Sequence, residues 1–128
     1  MTDSVRVRAA TVSELPDVLN VVDGAVLAVD TGRLRSAIDR GDVLVAVAGT
    51  AETDRILGAL VLDGEEITAV AVRKRRQGQG IGTMLVEAAA DRRERLVAEF
   101  DSRVRPFWES LGFDITQAVE IDRFRGVR

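Results

Sequence analysis

The stretch Ala69-Val70-Ala71-Val72-Arg73-Lys74-Arg75-Arg76-Gln77-Gly78-Gln79-Gly80-Ile81-Gly82 decides how the rest of the chain is read. An apolar strand runs into a basic turn, glycines then alternate with other residues, and an apolar pattern of helical spacing opens on the last glycine. The first turn of a helix has backbone N–H groups without internal partners. They carry the positive end of the helix dipole, so an anion placed there is stabilised without any side chain. Glycine lets the backbone bend sharply and lets a ligand approach where a Cβ would collide. Arg73, Lys74, Arg75 and Arg76 add positive charge beside the turn. A diphosphate is the natural occupant.

Spacing excludes two common diphosphate loops. The dinucleotide fingerprint needs Gly-x-Gly-x-x-Gly directly after a strand. Counted from Gly78 its third glycine would be Thr83, and counted from Gly80 it would be Leu85. The phosphate loop ends in Gly-Lys-Ser/Thr, and Gly82-Thr83 lacks the lysine.

Outward from this segment, Gly80–Arg93 reads as a helix with Ile81, Leu85, Ala88 and Ala89 as its buried stripe. Before it, Ile56–Leu62 and Glu66–Val72 are strands joined by Asp63-Gly64, a hairpin turn signal. Val43–Ala48 is an apolar strand, and Val5–Ala9 alternates as a strand should. Between them, Thr11 or Ser13 can cap a helix, with Glu14 completing a capping box and Leu15, Val18, Leu19, Val22 and Val26 on one face. A second helix begins at Thr31, buries Leu34, Ala37 and Ile38, and stops at Gly41. After the long helix come a strand at Leu96–Phe100 and a short helix capped by Ser102 and stopped by Gly112. A closing hairpin, Phe113–Ile115 with Val119–Phe124, ends the chain. The order β-α-α-β-β-β-α-β-α-β-β implies a mixed, mainly antiparallel sheet of six to seven strands flanked by about four helices. The strands on either side of the long helix should be parallel. One α+β domain over residues 1–128 accounts for all of it.

Two motifs then carry a resemblance. Gln77-Gly78-Gln79-Gly80-Ile81-Gly82 looks like motif A of the GNAT superfamily of N-acetyltransferases, Arg/Gln-x-x-Gly-x-Gly/Ala. Phe107-Trp108-Glu109-Ser110-Leu111-Gly112-Phe113 is similar to motif B, which usually reads Phe-Tyr-Glu-x-Leu-Gly-Phe. The resemblance implies acetyl-CoA as cosubstrate. Its pyrophosphate would lie on the amides of Gln77, Gly78, Gln79, Gly80, Ile81, Gly82 and Thr83. Its pantetheine arm would pair with Val70, Ala71 and Val72 like an added strand, and Arg73–Arg76 would approach the 3′-phosphate.

The implied reaction is direct attack of an amine on the thioester. It needs a base, donors for the oxyanion and a departing thiolate. A backbone N–H near Val72 could steady the oxyanion. Motif B often supplies a tyrosine acid; here Trp108 stands in its place and the chain has no tyrosine. The glutamate base of some relatives would fall at Leu96, and the family's asparagine at Asp101. The remaining candidates for the base are Glu66, Glu99 and Asp101, beside Glu65 at the start of the same strand as Glu66. A chain that kept motif A but lost its acid could instead be an acyl-CoA-binding sensor.

Composition narrows the rest. The 128 residues contain no cysteine and no histidine, which removes disulfides, thiolate nucleophiles and the commonest metal ligands, so no metal is expected. A net charge of −3 and the lack of aromatics among the arginines argue against nucleic acid. No apolar run approaches a membrane span, and Met1-Thr2-Asp3-Ser4 does not open a signal peptide, so a cytoplasmic protein is expected. The acceptor would be a small-molecule or peptide amine, and the C-terminal strands could pair across a homodimer.

Overall fold

The computed structural model describes residues 4–22, 31–49, 54–118 and 122–128. Val26 and the first part of the expected last strand, Val119–Ile121, lie outside them. The described chain forms β1 (Val5–Ala9), α1 (Leu15–Val22), α2 (Thr31–Asp39), β2 (Val43–Ala48), β3 (Arg55–Asp63), β4 (Glu66–Val72), α3 (Ile81–Ala90), β5 (Val97–Asp101), α4 (Arg105–Ser110), β6 (Asp114–Gln117) and β7 (Arg123–Val127). The strands make one seven-stranded sheet in the order β1-β2-β3-β4-β5-β7-β6. Every pairing is antiparallel except β4 with β5, the two strands that α3 connects. The expected mainly antiparallel α+β architecture is the one observed.

Helices cover both faces of the sheet, and the sequence of β2 records it. All six of its residues are buried, as a strand sandwiched between two layers requires. Val43, Val45 and Val47 face α1 and α2, joining Val18, Val22, Leu34 and Ile38. Leu44, Ala46 and Ala48 face α3, joining Leu85, Val86 and Ala89. The same layer continues under α4 through Phe100, Trp108, Leu111 and Phe113. No described helix is long and apolar enough to cross a membrane.

Boundaries move where capping chemistry outweighs periodicity. A single 3-10 turn, Val12–Glu14, precedes α1, and the Glu14 carboxylate accepts from the Thr11 amide at 2.9 Å. Gly41 stops α2 at φ +79°, with its amide and that of Asp42 returning to Ile38 and Ala37. Helix α3 is shorter than Gly80–Arg93, because Gly80 is the left-handed residue in front of it and Asp91 its C-cap. Its buried stripe includes Val86, whereas Ala88 is only half-buried. Asp101, not Ser102, starts the next turn by accepting from the Arg103 amide at 2.9 Å. Pro106 then sits in the first turn of α4, where its missing N–H costs nothing. Strand β5 begins one residue later than expected, at Val97. Phe113 is drawn out of β6 into the core.

Candidate active site

The site begins as a defect in the sheet. Strand β4 follows β3 from Asp63↔Glu66 to Gly58↔Val72, but the register slips between Val61 and Leu62 and leaves Thr68 as an extra residue. The Thr68 hydroxyl donates to the Val61 carbonyl at 3.3 Å, which ties the bulge to its neighbour. A bulge bends a strand and sharpens its twist. On its other side β4 meets β5 only at Glu66↔Val97 and Ile67↔Ala98. From Thr68 to Val72 the β5-facing edge of a central strand has no strand partner among the described residues. Its exposure follows: Thr68 is exposed, and Ala69, Val70 and Val72 are only half-buried.

A cavity of about 550 Å³ lies at the open end of this gap. Val70, Ala71 and Val72 line it, with Asn20 and Val21 from the end of α1 and Arg73, Lys74 and Gln77 from the following loop. The sequence did not single out Asn20 or Val21. Val21 lies off the periodic stripe, and an exposed Asn20 at the end of an apolar helix was its only signal.

The loop is held from below. The Arg73 amide donates to Leu57 O at 2.8 Å, and its Nε donates to Ile56 O at 2.7 Å. Lys74–Arg76 form a 3-10 turn, and the Gln77 side chain folds back to donate to Val72 O at 3.2 Å. Of the four basic residues, Lys74 and Arg75 are exposed, Arg73 is tied to β3, and Arg76 is half-buried with its Nε lacking a hydrogen-bond partner. Gly78 and Gly80 have φ of +77° and +82°, a region that side chains with a Cβ rarely adopt, and a Cβ at either would meet open space. No side chain caps α3, so the amides of Ile81, Gly82 and Thr83 end the helix without an internal acceptor.

Gly82 has a different reason to be glycine. A Cβ there would lie 3.2 and 3.3 Å from Cε1 and Cζ of Phe107. The last glycine of the loop is therefore where α3 and α4 touch, and it joins the two sequence motifs physically.

The carboxylates are dispersed. Glu66 opens β4 opposite Val97, at the end where β4 and β5 are still paired. Glu99 is the first β5 residue past the last of those pairs, and it is exposed. Asp101 is occupied: it accepts from the Arg103 side chain at 2.8 Å as well as from its amide. Those bonds, with the nearby charge of Arg123, hold its carboxyl below the usual aspartate range. None of the three lines the cavity. Trp108 is buried, stacked on Phe100 with centroids 5.5 Å apart and edge-on to Phe107 and Phe113. Among the described residues no group of three or more Asp or Glu side chains gathers as a metal site would require.

Comparison with known proteins meets the same segment. The acetyltransferase (GNAT) domain profile matches residues 39–115. Peptidyl-lysine N-acetyltransferase YjaB of Salmonella typhimurium is 34% identical over 74 residues, 56% of this chain and 51% of that protein, so the match spans about half of its length. Among solved structures, Rv2747 of Mycobacterium tuberculosis, crystallised in complex with CoA, superposes with a TM-score of 0.78 at 17% identity, covering 95% of this chain and 97% of that one. A GCN5-related N-acetyltransferase from Kribbella flavida gives 0.74 at 19% identity over 91% of this chain and 34% of its own. At such identities the structures speak for the fold. The profile covers more than half of the residues, the gap between β4 and β5 included, and this chain belongs to the GNAT acetyltransferase family.

Proposed function

We propose that the chain transfers the acetyl group of acetyl-CoA to a primary amine by direct attack. The observation that carries this reading is the edge of β4 from Thr68 to Val72 that β5 leaves without a strand partner among the described residues, leading into a loop with two left-handed glycines and a helix without a side-chain cap. The donor set suits the coenzyme. The amides of residues 77–83 face the pyrophosphate, Val70–Val72 offer main-chain groups to the two amides of the pantetheine arm, and Lys74 and Arg75 are exposed for the 3′-phosphate. Arg76, with an unsatisfied Nε, is a further donor beside the loop.

Strand geometry supports one position for the chemistry. Four residue steps from Val72 to Thr68 span about 13 Å at the usual rise of a strand. An arm anchored at α3 and laid along β4 brings its thioester towards the bulge, so the oxyanion donor belongs at the Thr68–Ala69 end of the edge rather than beside Val72. The amine first loses a proton. Its nitrogen then bonds to the thioester carbon, the carbon–sulfur bond breaks, and the electron pair leaves on sulfur. Glu99, at the mouth of the gap, is the carboxylate best placed to take the proton directly or through water; Glu66 lies on the adjacent strand. Asp101 is a poorer base, because its hydrogen bonds stabilise the ionised form. The thiolate is a tolerable leaving group near its own pKa of about 8.5, so the reaction proceeds without an acid at position 108.

The acceptor of the Salmonella relative makes a lysine side chain the first amine to test. One observation supports a second reading, a CoA-binding sensor: Trp108 stands where the family often has its acid, and it is packed among three phenylalanines. Acetyl-CoA should raise the melting temperature in either case by ligand linkage. Release of free CoA thiol with an amine panel that includes lysine peptides supports the transferase. Binding without release across the panel supports the sensor, and no binding overturns both.

A further inference from the structure

Lys74 is the only lysine of the chain; the other seventeen of its 18 basic residues are arginines. Arginines make the ion pairs, as at Arg8–Glu14, Arg93–Asp42 and Arg128–Glu87. A guanidinium is not deprotonated in a protein, so it does not become a nucleophile. An ammonium can give up its proton and take an acyl group, and acylation removes its charge. Lys74 therefore carries the one side-chain amine of the protein. Its position is specific. It opens the 3-10 turn after β4 and lines the cavity beside Val70, Ala71 and Val72. It is exposed, and among the described residues it makes no hydrogen bond or ion pair. The basic residues near it differ: Arg73 is tied to β3, and Arg76 is half-buried.

We propose that Lys74 is itself acetylated by acetyl-CoA, and that this modification loosens the coenzyme site. The inference rests on the placement of the coenzyme under the proposed function and gives that site a regulation. The coenzyme in the same cavity is not the donor. An arm laid along β4 carries its thioester about 13 Å beyond Val72, away from Lys74, whereas a lysine nitrogen reaches only about 6 Å from its Cα. The acetyl group comes from a second acetyl-CoA, free in solution or held by another copy of the chain. The ammonium first loses a proton to water. The nitrogen then bonds to the thioester carbon, the carbon–sulfur bond breaks with its electron pair on sulfur, and the nitrogen passes a second proton to water. An amide remains on Lys74 and CoA leaves as the thiolate. The amide has no charge to offer a phosphate. A surplus of acetyl-CoA over acceptor amine thus weakens the site that binds it.

The test incubates wild type and K74R with acetyl-CoA and no added amine. Tandem mass spectrometry should place an acetyl group on Lys74 of wild type. The coenzyme is then removed and CoA is titrated by calorimetry. Treated wild type should bind with a Kd about two- to fivefold above that of untreated protein, the worth of one exposed charge pair. K74R keeps a cation that cannot be acylated, so its Kd should be the same before and after treatment, whatever its starting value. The difference in wild type should fade at about 1 M salt. Acetylation per chain that quickens with protein concentration supports a donor held by another copy, and a rate independent of it supports free acetyl-CoA. An unmodified Lys74, in protein whose melting temperature acetyl-CoA still raises, overturns the proposal and leaves the coenzyme site standing. An acetylated Lys74 with an unchanged Kd overturns the regulation. No rise in melting temperature overturns the coenzyme site itself, and the regulation with it.

Discussion

Replacing Gly80 by leucine separates the two reasons for which a glycine can occupy a loop. At φ +82° any L side chain carries the left-handed penalty of about 1–2 kcal/mol. Nothing in the protein lies within 4 Å of the new Cβ, so the fold bears no further cost. Gly64, in the β3–β4 hairpin turn, supplies the control: its φ is +60°, its Cβ would also meet open space, and it lies at the opposite end of β4 from the glycine loop. Both variants should therefore melt lower than wild type by a similar amount, about 4–8 °C for a domain of this size. The ligand distinguishes them. Acetyl-CoA at a hundredfold excess over its Kd contributes about 2.7 kcal/mol, or roughly 10 °C, to wild type. G64L should keep that increment in differential scanning fluorimetry and G80L should lose it, because the leucine fills the space the coenzyme would use. An undiminished coenzyme shift in G80L, with G64L behaving as expected, would refute the placement of the pyrophosphate at the start of α3.

Other consequences are simpler to test. G82V should destabilise the protein by about 1–3 kcal/mol through overpacking against Phe107, and adding F107L should recover part of it; strict additivity in the double variant would show that the two do not touch. W108A, which opens the aromatic cluster, should cost about 3–5 kcal/mol by denaturant titration. Hydrogen bonds from Arg8 hold the Glu14 carboxyl down to about 2 against 4.5 for a free side chain. A carboxyl lowered in the folded state stabilises fully above its unfolded value, and the contribution disappears as pH falls through the folded one. The melting temperature of wild type should accordingly exceed that of E14Q at pH 6 and converge with it near pH 2. A constant difference across that range would remove Glu14 from the acid response.

Much of the scaffold was legible because it depends on local signals. Asp63-Gly64 fixed the β3–β4 hairpin, Gly41 the end of α2, and the unbroken Val43–Ala48 run a strand buried on both faces. The glycine loop was legible for the same reason, since left-handed backbone at Gly78 and Gly80 is written in the residue type. What escaped depends on partners distant in sequence. The bulge at Thr68 is a mismatch between two strands, and neither strand alone carries it. Gly82 reads from the sequence as a ligand contact, and its approach to Phe107 appears only once α4 is in place. The three carboxylates were chosen as polar strand ends, yet their positions relative to the gap depend on the register of β4 against β5. That Asp101 caps the following turn emerges only once the 3-10 turn forms.

Among the described residues, two ladder pairs, Glu66↔Val97 and Ile67↔Ala98, are all that stitch β1–β4 to β5–β7 through the sheet. The molecule is thus two leaves with a narrow seam in the sheet, joined beneath it by one continuous core and by the abutment of α3 and α4 at Gly82 and Phe107. A guest spanning the opening would supply the missing rungs and lock the leaves together. Amide exchange across β5 should then slow far from any atom the guest contacts, and filling the cleft would stiffen the host as a whole.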